Sequence, residues 1–224
     1  MEISVQGTHE ETVRPEIGRL HARAHAEASD KNEVLRTATA VVQRLHTELK
    51  RLQEAGQVTE IVVRPITTSS WRPIVKGRQA HPIFRAHAGI QADFTDFAAL
   101  ADLAAQFGAT EGLELDSVEW RLTDATRREL EAVCLTRAVE QARDRAEAMA
   151  RAAGAGEVTF VQLADPGLLG DSPSVRQSFA ASMAAPMSGM MRGAKMADHQ
   201  LAGIELQPED LTVSAVVQAR LATA

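Results

Sequence analysis

Two stretches of the chain alternate apolar and polar residues with a period of two, and that pattern constrains the fold more than any other feature. In "GRLHARAHAEA" (Gly18 to Ala28), Leu20, Ala22, Ala24 and Ala26 stand on one side and Arg19, His21, Arg23, His25 and Glu27 on the other. In "IFRAHAGIQADF", Phe84, Ala86, Ala88, Ile90, Ala92 and Phe94 oppose Arg85, His87, Gln91 and Asp93. Successive side chains of a strand point to opposite faces of its sheet. Each stretch therefore predicts a strand with one buried face and one that is wet or covered by another subunit.

Helical signals follow both strands. Ser29 or Asp30 caps a helix to about Gly56, whose apolar stripe (Val34, Leu35, Ala38, Val41, Val42, Leu45, Leu49, Leu52) is spaced three and four apart. Thr95 or Asp96 caps a second helix ending at Gly108, and Thr123 or Asp124 starts a third ending at Gly154. Further strands are expected at Ile3 to Gly7, Val58 to Ile66, Leu113 to Leu122, "EVTFVQLA" and "LTVSAVVQARLA", with "TTSSWRPIVKGRQ" irregular. The last strand turns Val213, Ala215, Val217, Ala219 and Leu221 inward. These elements predict an α+β fold: a mostly antiparallel or mixed sheet of about seven strands, with three helices packed on one face. One domain is expected over residues 1–224, with 165–203 a long irregular or oligomerisation arm before the last strand.

Composition narrows the function. Aromatics make up 4% of the chain, with no tyrosine, which leaves little for stacking on single-stranded nucleic acid. A formal charge of -6, with Lys and Arg scattered along the chain, argues against a phosphate-binding surface as the main business. A single cysteine excludes a disulfide framework within the chain and a multi-cysteine zinc site. The opening residues carry no basic and apolar leader pattern, so a cytoplasmic location is expected. The longest uncharged run, Gln177 to Met191, is too short to span a bilayer.

No constellation points to catalysis, a cofactor or a metal. His21 and His25 share a strand face but lie about 13 Å apart, too far for one ion. A site there would need His81 or His87, and Arg23 and Arg85 on the same faces repel cations. Cys134 falls in an apolar stripe with Leu130 and Val133 and reads as core packing. Ser69 and Ser70 lack a nucleophile-elbow context. His9, Glu10 and Glu11 read as a charged turn between strands, and "GAG" (Gly154 to Gly156) as a helix C-cap rather than a phosphate cradle.

"SMAAPMSGMMRGAKM" (Ser182 to Met196) holds five of the seven methionines. Thioethers favour Cu(I), yet methionine clusters more often make adaptable apolar contacts. Phe179, Met183, Met187 and Met190 or Met191 fall on one side of a helix, although Pro186 and Gly189 weaken it. With Met196, these residues are the expected contact to another subunit or protein partner. A mobile loop, a membrane-surface contact and a soft-metal-handling role for the segment are the alternatives.

The order of these segments resembles a known family. The residues that carry it are "ISVQG", a turn at Pro15, "NEVL", "QEAGQVTEIVVRPITTSS", "CLTRAVEQARDRAEAMARAAGAGEVTFVQL" and "GIELQPEDLTVSAVVQARLA". Together, from Ile3 to Leu221, they resemble the SIMPL domain, named for a signalling protein that associates with a mammalian kinase. The resemblance implies an α+β fold, homo-oligomers that are sometimes rings, and no established catalytic residue set. It therefore implies a non-enzymatic protein acting through self-assembly or partner binding, with a stress-related role among the expectations. Many bacterial members look exported, whereas this chain shows no leader, and in "QPEDL" Glu209 replaces the usual glycine.

Overall fold

The computed structural model describes residues 1–75, 78–169 and 207–223. In chain order the elements are β1 (Glu2–Val13), β2 (Ile17–Ala28), α1 (Lys31–Glu54), β3 (Val58–Val63), β4 (Thr67–Trp71), β5 (Ile74–Val75), β6 (Arg78–Gln79) and β7 (Ile83–Phe94). Then follow α2 (Phe97–Phe107), β8 (Leu113–Arg121), α3 (Asp124–Ala152), β9 (Val158–Ala164) and β10 (Leu211–Thr223). The described residues divide into two compact units: a terminal unit (1–13, 124–169 and 212–223) and a central unit (14–75, 78–123 and 207–211). The fold class is α+β as expected, but the long strands form two sheets rather than one.

The central unit is built on the two alternating strands. β2 and β7 pair antiparallel in a continuous register from Gly18–Phe94 to Ala28–Phe84. The sheet order is β3-β7-β2-β8, with β4 also pairing β7. The even-numbered residues of both long strands face the helices, where Leu20, Ala22, Ala88, Ile90, Ala92 and Phe94 meet Leu45 and Leu49 of α1 and Leu100 and Leu103 of α2. Asp30 caps α1 by accepting from the Glu33 N–H, and Asp96 caps α2 by accepting from Ala98 and Ala99. Each cap satisfies backbone donors that the first turn leaves orphaned.

Two bulges explain why β3 and β8 do not alternate cleanly in sequence. The β2–β8 register shifts between His21 and Ala22, so Leu20 faces Val118 while Ala22 faces Leu115. Asp116 is the extra residue, and Leu115 and Val118 both reach the core. In β3 the shift falls between Val58 and Glu60, which sends Val58 and Ile61 inward and leaves Glu60 on the polar face.

In the terminal unit, α3 lies on one face of a three-stranded sheet ordered β1-β10-β9. Its buried residues are Cys134, Ala138, Ala142, Ala146 and Ala150, a single row four apart. This corrects the expected stripe at Val133, which is 41% exposed; Leu130 is half-buried and Cys134 buried. The reason is distance. Gly7 of β1 sits under the helix so closely that a Cβ there would lie 1.9 Å from the Ala138 carbonyl oxygen. Only small side chains permit that approach, so a narrow alanine row, not the larger apolar residues, faces the sheet. Cys134 is fully buried and its thiol donates to the Val213 carbonyl at 3.3 Å.

Most of the described residues of "TTSSWRPIVKGRQ" are strand rather than irregular. Thr67 to Trp71 pair with Ile83 to His87 of β7, and Ile74–Val75 pair with Arg78–Gln79. β4 is exposed at every position, so no burial period marks it in sequence. Likewise His9, Glu10 and Glu11 lie within β1, which extends to Val13, and not in a turn. Alternation of Thr8, Glu10 and Thr12 with His9, Glu11 and Val13 leaves neither side apolar enough to show a strand.

Candidate functional site

Opposite its helices, the central sheet presents the odd-numbered residues of β2 and β7, lining an open trough of about 950 Å³ with Arg64, Glu114 and Asp116. The strand register sets the neighbours. His25 stands directly across from His87, and His21 across from Gln91. His21 lies 3.2 Å from the Gln91 amide and 3.5 Å from Glu119. His25 lies 4.0 Å from Glu114, and His87 2.8 Å from the Thr67 hydroxyl. Arg23 reaches Asp116 at 3.3 Å and Glu114 at 3.8 Å, while Arg85 pairs with Glu27.

Beyond the trough, Arg19 grips Asp93 in a two-pronged pair of 2.6 and 2.7 Å and touches Glu60 at 3.4 Å. Asp93 is 5% exposed and is the buried charged residue of the described core. Its hydrogen bond raises the Arg19 guanidinium above the ordinary arginine value, against the opposing effect of burial. A buried carboxylate is tolerated because a planar fork satisfies both its oxygens.

The trough therefore pairs Arg23 and Arg85 with acids from neighbouring strands. Sequence reasoning found the histidines and Arg85 but missed Glu114, Asp116, Glu119 and Arg64, which come from β8 and the end of β3. Acidic residues in "LELDSVE" were the available signal, obscured by the bulge at Asp116. Among the described residues, no group of three or more His, Cys, Asp or Glu is placed to hold a metal ion. His81 is exposed and stands outside the trough lining. His9 pairs with Glu11 at 3.0 Å. Ser69 and Ser70 are exposed on β4, and Gly154 takes a left-handed φ of 71° just after α3, as a C-cap does.

A second surface is apolar. β9 is an edge strand in the described sheet, and its sequence "VTFVQLA" carries no charge and no proline. Phe160 and Val158 turn into the core. Val161 and Leu163 are 58% and 50% exposed. The β9–β10 register shifts between Arg220 and Leu221, making Val161 the extra residue of a bulge. The expected contact residues Phe179, Met183, Met187, Met190, Met191 and Met196 lie outside the described residues.

The antiparallel sheets and three helices define an α+β protein. Residues 3–221 match the SIMPL family, described as a protein of unknown function (DUF541), and the chain belongs to that family. No curated protein matches the chain. No described helix is long and apolar enough to cross a membrane.

Proposed function

We propose that this SIMPL-family protein is non-enzymatic and acts through homo-oligomeric assembly, with the β9 edge as a subunit contact. The observation that carries the reading is the uncharged edge strand with Val161 and Leu163 exposed. An open strand edge offers a row of unpaired backbone donors and acceptors to another chain. Proteins that stay monomeric usually guard such edges with charge, proline or a bulge. β9 has no charge and no proline, and carries one bulge, at Val161. Pairing two β9 edges antiparallel repeats one patch on both partners, the self-complementary arrangement of a two-fold contact. The trough is consistent with a scaffold, since Arg23 and Arg85 are held by neighbouring acids rather than converging on a reacting atom.

Native mass spectrometry and light scattering on the full chain test this. An oligomer is expected at micromolar concentration, and Val161→Lys with Leu163→Lys should shift it to smaller species with an unchanged circular dichroism spectrum. A variant lacking residues 177–200 reads the separate contribution of the Met-rich segment. A monomer at all concentrations for the full chain would refute the proposal.

A further inference from the structure

Gly89, on the polar face of the central sheet, has no conformational reason to be glycine. It lies in the middle of β7, where the β2–β7 register runs without a shift, and its φ is not positive. A glycine inside a strand that forms no bulge marks a close approach. What approaches is Arg64. Its backbone N–H donates to the Gly89 carbonyl at 2.8 Å, and its stem crosses β7 with Cδ 3.3 Å from where a Gly89 Cβ would stand. Nε follows at 3.9 Å, so the guanidinium is carried over the floor of the trough.

The charges around this point are unequally matched. Arg23, across from Gly89 on β2, leans toward β8, where it reaches Asp116 at 3.3 Å and Glu114 at 3.8 Å. Arg85 pairs with Glu27. Arg64 has no side-chain partner among the described residues. His87 shares the face two positions from Gly89, about 7 Å along the strand, and the Thr67 hydroxyl lies 2.8 Å from its ring. His25 stands directly across from His87. Between Glu60 and Asp93 the chain holds no Asp or Glu, so the wall built by residues 64–67 and 85–91 carries no carboxylate.

We propose that the trough binds a small organic anion, its carboxylate or phosphate group seated over Gly89 against the Arg64 guanidinium and beside the imidazoles of His25 and His87. The planar fork of an arginine suits either group, and each imidazole carries at least one N–H to donate. Glu27 and the acids of the opposite wall, Glu114 and Asp116, repel a polyanion laid along the trough. A single charged head group fits and a nucleic acid does not. A metal ion finds no group of three ligands among the described residues. The trough, about 950 Å³, is larger than the head group alone, so the rest of the molecule lies along its floor. The site lies within the central unit and is independent of the β9 contact.

The test titrates the full chain, at fixed pH and ionic strength, with inorganic phosphate and separately with succinate, following the histidine ring signals by NMR. Saturable shifts are expected at His25 and His87 with at least one probe, and none at His9 or His46, which lie outside the trough. The probe that responds names the head group. Arg64→Gln should weaken binding about tenfold or more, whereas Arg72→Gln, outside the trough, should leave it unchanged. Both side chains are exposed, so each variant should keep the parent's circular dichroism spectrum. No saturable shift at His25 or His87 with either probe overturns the proposal. So does binding that Arg64→Gln leaves intact, or that both variants weaken equally.

Discussion

Replacing Gly7 by alanine probes the contact on which the terminal unit is built. The added Cβ would lie 1.9 Å from the Ala138 carbonyl oxygen, 2.8 Å from the Ala142 nitrogen and 2.9 Å from the Ala142 Cβ. Two of these are backbone atoms of α3, so no side-chain rotation relieves the clash. Restoring ordinary contact requires α3 or β1 to withdraw by about 1.5 Å. That gap opens under Ala138, Ala142 and Ala146, each fully buried against the sheet. Overpacking of this kind costs about 1–3 kcal/mol, and the upper end applies because backbone must move. Alanine returns roughly 0.5–1 kcal/mol by restricting the unfolded chain, leaving a net loss of about 2 kcal/mol. Urea denaturation followed by circular dichroism at 222 nm reads this, since α3 is the longest helix. Trp71 and Trp120 both belong to the central unit, so their fluorescence reports that unit in the same experiment. The control is Gly156→Ala, where a Cβ meets nothing within 4 Å. It should be neutral or stabilising by about 0.4–1 kcal/mol. A Gly7→Ala protein within about 0.5 kcal/mol of the parent would refute the close-approach reasoning.

Asp96→Ala removes the α2 cap and should cost about 1 kcal/mol. The Gln57 amide, then the Ala99 and Ala98 N–H groups, hold the Asp96 carboxyl below its ordinary value. Its contribution is thus present above the unfolded value and lost as pH falls through the folded one. The gap between parent and variant should narrow on acidification, as denaturation at several pH values will show. Asp93→Ala leaves the half-buried Arg19 without its main partner and should destabilise the central unit by about 2 kcal/mol, read by tryptophan fluorescence. Cys134, fully buried, should react with a thiol reagent only when the terminal unit opens, so its labelling rate should rise in Gly7→Ala.

Much of the central unit was legible because one strong signal repeats. The alternation of β2 and β7, the stripe of α1 and the caps Asp30 and Asp96 each follow from local spacing, and each stands where that spacing places it. β10 likewise turns Val217, Ala219 and Leu221 inward. β4 to β6 were illegible because exposed Thr and Ser carry no burial period. The polar trough was half legible: the face of each histidine follows from parity, but which residue stands opposite follows only from register.

Sequence alone, then, determined which residues of β2, β7, β10 and α1 face inward, since that depends on the geometry of one strand or one helix. Tertiary structure decided what meets across elements: the division into two sheets, the His25–His87 and Arg19–Asp93 pairings, and the bulges at Asp116 and Val161. It also decided that α3 buries alanines rather than its larger apolar residues. A helix stripe is chosen by how near the partner backbone comes, and Gly7, more than a hundred residues away in sequence, sets that distance.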